Sequence, residues 1–86
     1  MSGYVYILKS DIGKYYIGST KNPAVRFYQY RNGHTQTTRN MKAFKVVLLQ
    51  EYKNIKKAQK IENRIKKLKR RDYIDRMVKD GFIKIE

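Results

Sequence analysis

Hydrophobic positions along the chain change their period, and the changes mark out its elements. Tyr4-Val5-Tyr6-Ile7-Leu8 is a β-branched and aromatic run that predicts a strand. Ser10-Asp11-Ile12-Gly13 carries turn chemistry, and Lys14-Tyr15-Tyr16-Ile17-Gly18 predicts a second strand that closes an antiparallel hairpin. Asn22-Pro23 opens a helix, because Asn caps well and Pro is accepted at the first helical position, where its missing N–H costs nothing. That helix is expected from about Pro23 to Tyr30, with a stop near Asn32-Gly33 and a polar surface loop over residues 33–42. Phe44 to Tyr52 is apolar and β-branched and predicts a third strand.

From Ile55 the period becomes helical: Ile55, Ala58, Ile61, Ile65 and Leu68 recur at three- and four-residue steps. Arg70 to Lys79 predicts another helix with Ile74, Met77 and Val78 inward, Gly81 as its stop, and Phe82 to Ile85 as a short closing strand. The order β-β-α-β-α-α predicts an α+β fold, a three-stranded antiparallel sheet flanked by helices. Eighty-six residues leave room for one domain, spanning residues 1–86.

Charge narrows the partners. Twenty-one Lys and Arg against seven Asp and Glu give a formal net charge of +14. Such an excess favours polyanions, since phosphate contacts release condensed counterions whatever the base sequence. Nucleic acid is the expected partner. A membrane surface is disfavoured because the strongly basic helix lacks large aromatic anchors, and the aliphatic run Val46–Leu49 is too short to span a bilayer. The absence of cysteine removes disulfides, thiolate zinc sites and cysteine nucleophiles together. With no signal-peptide pattern at the N-terminus, an intracellular (cytoplasmic) protein is expected.

Candidate chemistry gathers on a few side chains. Arg26 and Tyr30 stand four apart on the predicted first helix and share a face. If the hairpin turns near Ile12, Tyr6 pairs opposite Gly18, leaving open space beside Tyr6 that suits a phosphate. Tyr16 then lies diagonally across on the same face. A slip of one residue puts the two tyrosines on opposite faces instead. Ten basic residues and one acid, Glu62, occur between Lys53 and Arg71, and Glu62 falls inside the apolar arc of its helix. An inward carboxylate needs a partner, which Arg26 or a divalent cation supplies. The lysines and arginines around it, Lys60, Arg64 and Lys67 among them, form a stripe that reads equally as a solvated face or as a phosphate track.

Taken in order, Tyr4-Val5-Tyr6, Tyr16-Ile17-Gly18, Arg26 ten residues after Tyr16, Tyr30 four residues further and Glu62 on a later helix resemble the signature of the GIY-YIG nuclease superfamily. The match spans nearly the whole chain and is closest to its small single-domain type. Tyr4 departs from the glycine of the name motif, and Ser19 stands where some relatives carry a lysine. Asn63, beside Glu62, is expected to point away from the site, so the asparagine of some relatives has no counterpart. The resemblance implies a metal-dependent endonuclease that hydrolyses phosphodiester bonds with one Mg²⁺ or Mn²⁺ held at Glu62. Arg26 would clamp the phosphate and a tyrosine, Tyr6 or Tyr16, would act as base, helped by the other or by Lys14. Nearby cations are expected to lower that tyrosine's pKa from its ordinary value near 10. Thr38 and Arg39 resemble a substrate-contacting pair of relatives, and Lys14 and Lys21 add basic contacts. DNA is the expected substrate ahead of RNA, cut with structure or single-strand preference and little sequence specificity. A DNA repair or recombination role and a targeting partner protein fit that reading. A non-catalytic nucleic-acid-binding module of the same fold is the competing class, and a covalent tyrosine strand-transferase a weaker third.

Overall fold

The computed structural model describes residues 2–31, 44–68 and 70–84. Strand β1 is Gly3–Ser10, β2 Tyr15–Thr20, helix α1 Pro23–Arg31, β3 Phe44–Tyr52, α2 Ile55–Leu68 and α3 Arg71–Asp80. The sheet order is β2-β1-β3 with both pairings antiparallel, so the first strand is central and β2 is an edge. Among the described residues the architecture is the expected α+β layer of three strands and three helices.

Each local boundary has a physical cause. Gly13 takes φ +82° in the hairpin turn, and its N–H donates to the Ser10 carbonyl at 3.0 Å. Asn22 caps α1 by accepting from the Val25 N–H at 3.2 Å, and Asn54 caps α2 by accepting from Lys57 N–H at 2.8 Å. Gly81 ends α3 in the left-handed region, its N–H donating to the Met77 carbonyl.

Residues 82–84 depart from the expected closing strand, whose last residue, Ile85, lies outside the described residues. They make no ladder. Instead the Gln50 side-chain amide imitates a neighbouring strand: Ile83 N–H donates to its Oε1 at 2.6 Å, and its Nε2 donates to the Ile83 carbonyl at 3.2 Å. One amide side chain satisfies both backbone groups of a buried residue, so no fourth strand is needed. Leu68, placed in the apolar period by its spacing, is 38% exposed. The expected loop over 33–42, with Thr38 and Arg39, lies outside the described residues.

The two faces of the sheet have different jobs. Val5 and Ile7 point to one face, where Ala58, Ile61 and Ile65 of α2 and Met77 of α3 complete the main core. Tyr6 and Leu8 point to the other, where Phe27 and Tyr30 of α1 and Tyr16 pack on them. Tyr6 pairs opposite Gly18 and Leu8 opposite Tyr16, which puts Tyr6 and Tyr16 on one face as the in-register reading requires. Gly18 does not leave open space, however. A Cβ at Gly18 would collide with the hydroxyl end of the Tyr6 ring. The ring therefore lies across the edge strand in the place a side chain would fill, pinned edge-on against Phe27 at 5.5 Å between centroids.

Gly18→Ala should destabilise the protein by about 1–3 kcal/mol through overpacking, a fall of several degrees in Tm for a chain this size. In thermal unfolding the penalty should largely vanish when Tyr6→Ala is combined with it, because the two sites share one contact.

Candidate active site

Where β2 runs along the sheet edge, both faces open into a single cleft of about 510 Å³. Tyr6, Arg26 and Tyr30 line it from the α1 side, and Ser19, Glu62 and Lys66 from the α2 side. Strand parity explains the meeting: Ser19 pairs with Val5 and faces α2, whereas its neighbour Gly18 pairs with Tyr6 and faces α1. With no side chain at Gly18, the Tyr6 hydroxyl reaches the edge and the two layers share one hollow.

The α1 side is a hydrogen-bonded cluster. Tyr6 and Tyr30 hydroxyls lie 2.7 Å apart, Arg26 Nε–H donates to the Tyr6 oxygen at 3.3 Å, and the Arg26 guanidinium stands 5.3 Å over the Tyr30 ring. Arg26 and Tyr30 project together because they are one helical turn apart. Burial, the largest influence, pushes the Tyr6 phenol up to about 12. Arg26 pulls it down and Tyr30 adds to the rise, and desolvation prevails because the ring is 1% exposed. The expected lowering by nearby cations is therefore reversed: a single partly exposed guanidinium is weaker here than the loss of water. The Tyr6 hydroxyl in turn raises the Arg26 pKa, foremost through their hydrogen bond.

On the α2 side, Glu62 is inward and nearly covered, its side chain 15% exposed. Its partners are Ser19, whose hydroxyl donates to Oε1, and Lys66, whose ammonium sits 2.6 Å from Oε2. Arg26, the protein partner expected for it, is engaged with Tyr6 instead. Gln59, Glu62, Asn63 and Lys66 follow the i, i+3, i+4, i+7 stripe of one helix face and all line the cleft. Asn63 thus joins the site rather than pointing away from it. That stripe was the available signal for Gln59, Asn63 and Lys66, and the parity of Ser19 beside Gly18 the signal for Ser19.

Other sequence candidates fall elsewhere. Tyr16 is half-buried against Tyr6 and Leu8 and does not line the cleft. Lys14 is exposed at the end of the hairpin turn, four residues before Gly18, and Lys21 is exposed between β2 and α1. Arg64 and Lys67 line a different cavity, between α2 and α3, and Lys60 is exposed outside both. Their helical phase, not their charge, separates them from Lys66.

A divalent metal fits the donor set within limits. No cluster of three or more His, Cys, Asp or Glu exists among the described residues. The cleft supplies one carboxylate with the Ser19 hydroxyl and the Gln59 and Asn63 amides beside it. That suits Mg²⁺, which keeps several waters and takes phosphate oxygens, and does not suit a two-metal centre. Lys66 is half-exposed and can leave the carboxylate without unpacking the core.

Comparison with known proteins identifies the family and the fold. The family model of the GIY-YIG catalytic domain matches residues 2–75, and the chain belongs to that nuclease family. Among solved structures, a UPF0213 protein of Bacillus halodurans, determined by solution NMR, superposes with a TM-score of 0.60 at 28% identity. The match covers 94% of this chain and 87% of that one. No curated protein matches significantly. Among the described residues, no helix is long and apolar enough to cross a membrane.

A high-pH titration tests the electrostatics. Tyr6 in the folded state holds its proton above the unfolded value near 10, so its contribution to stability is complete below pH 10 and lost as pH rises towards 12. Phenolate absorbance should show one tyrosine that Tyr6→Phe removes, ionising about two pH units late. Arg26→Met should delay it further, since Arg26 lowers that pKa.

Proposed function

We propose that the chain is a metal-dependent endonuclease that hydrolyses phosphodiester bonds in DNA, with the β2-edge cleft as its active site. The observation that carries this reading is the meeting, in one cleft, of Tyr6 and Arg26 from one layer with Glu62 from the other. Arg26 offers guanidinium donors to the phosphate and steadies charge as it builds on the non-bridging oxygens. Tyr6 orients the attacking water. Because its proton is held far above neutrality, it acts by relay rather than as a preformed phenolate. It accepts a proton from water while its own passes across the 2.7 Å hydrogen bond to Tyr30 and on to solvent. Glu62 would hold the metal, fixed by Ser19, with Gln59 and Asn63 offering further oxygens. When bound there, Mg²⁺ or Mn²⁺ supplies Lewis-acid polarisation of the phosphate and charge stabilisation at the leaving 3′ oxygen. Lys66, released from Glu62, remains beside the same phosphate as a counter-charge. With one compact site and one basic helix, structure or single-strand preference fits better than sequence specificity.

A second reading, a nucleic-acid-binding module without chemistry and open to RNA, draws on the Lys66–Glu62 ion pair and the neutral Tyr6. Cleavage assays on single-stranded, duplex and branched DNA and on RNA, with Mg²⁺, Mn²⁺ or EDTA, separate the two. The nuclease reading expects metal-dependent cutting that falls by about a hundredfold or more in Arg26→Ala and Glu62→Ala, with affinity largely kept. No cutting under any condition, with salt-sensitive binding retained, would establish the binding module.

A further inference from the structure

A larger cavity than the cleft, about 550 Å³, lies between α2, α3 and the segment after α3. The chemistry proposed above makes no use of it. Its floor is apolar: Leu68 and Tyr73, 38% and 41% exposed, with the buried Met77 beneath. Its rim is basic. Arg64, Lys67, Arg76 and Lys84 line it against one carboxylate, Asp80, which Lys84 pairs at 3.5 Å. Four cations less one acid leave a net charge of three on a cavity whose walls are otherwise apolar.

A nucleotide of an unpaired strand has the matching chemistry, a planar ring for the floor and phosphates for the rim. An aromatic ring is positioned for it. Tyr73 lines the cavity, and Arg70, anchored to Asp72 at 3.0 Å, holds that ring with its guanidinium 4.8 Å from the centroid. A duplex keeps its bases stacked inside and presents no ring to such a floor.

The two cavities also lie on neighbouring faces of one helix. Lys66 lines the cleft, and the next residue, Lys67, lines this cavity. The body of α2, about 10 Å across with side chains, is all that separates them. A strand whose phosphate occupies the cleft reaches this cavity by crossing the Lys66–Lys67 ridge.

We propose that the α2–α3 cavity is a second subsite that binds an unpaired base of the nucleic-acid strand, with Tyr73 and Leu68 against the ring and Lys67 and Arg76 on its flanking phosphates. The link to the scissile phosphate rests on the nuclease reading; binding of the base does not. The subsite makes single-stranded or frayed nucleic acid the preferred ligand.

The test is fluorescence anisotropy of the full chain in EDTA, with a labelled oligothymidine and a labelled blunt duplex of two complementary strands. Tyr73→Ala should weaken oligothymidine binding fivefold or more, with the salt dependence unchanged and the duplex affected less than twofold. Arg76→Ala should weaken binding to oligothymidine and reduce its salt slope by about one. Arg76 is exposed, and a circular dichroism melt confirms that both variants fold. Unchanged oligothymidine affinity in both variants overturns the proposal, as does an equal loss on the blunt duplex in Tyr73→Ala. A change in sedimentation of Tyr73→Ala with oligonucleotide affinity intact would assign the groove to a second copy of the chain and also overturn it. Because the readout is binding without metal, failure of the nuclease reading appears only in the cleavage assay.

Discussion

The contact between the Tyr6 ring and the bare Cα of Gly18 governs the cleft. In a sheet, side chains of successive residues belong to opposite faces, so groups carried by the two layers are normally kept apart by the backbone. Here the backbone is an edge strand, and at one position it has no side chain. The Tyr6 ring occupies that vacancy and carries its hydroxyl to the rim, where Glu62 arrives from the other layer by way of Ser19. Arg26 and Tyr30 then fix the hydroxyl, and their spacing on α1 is what lets both reach it.

Burial has an electrostatic consequence. The same packing that positions Tyr6 removes water from it, and one guanidinium does not offset that desolvation. The phenol is therefore a held proton within a hydrogen-bonded pair, suited to relay and orientation. On the opposite wall the Glu62 carboxylate is paired by the half-exposed Lys66 at 2.6 Å, at the rim of the cleft rather than within the apolar core.

Much of this was legible in the sequence, and the limits have physical reasons. Elements with a clean period were readable to within a residue or two: the hairpin from its two β-branched runs, α2 from its apolar steps, and the stop of α3 from Gly81. The pairing of Tyr6 with Gly18 was one of two registers open in the sequence, and the structure adopts it. What the pairing did not disclose is that the ring folds back over its partner, because that depends on Phe27 packing from a distant helix. The partners of Glu62 were hidden likewise, since Ser19 comes from the other layer and contact across layers leaves no periodic trace. Phe82 to Ile85 has the composition of a strand, yet at Ile83 a side-chain amide from β3 takes both backbone hydrogen bonds that a neighbouring strand would supply. Composition reported the basic excess on α2, and only helical phase divides it between two cavities.

In the proposed nuclease, Glu62 and the Tyr6–Arg26 cluster form one metal-assisted site around the edge of β2. Paramagnetic broadening by Mn²⁺ in isotope-labelled protein tests it most directly. Signals of Gly18, Ser19, Glu62 and Asn63 should be lost first, those of Arg26 next, and Glu62→Gln should restore them all. Broadening centred on another part of the surface, or persisting unchanged in Glu62→Gln, would contradict the account.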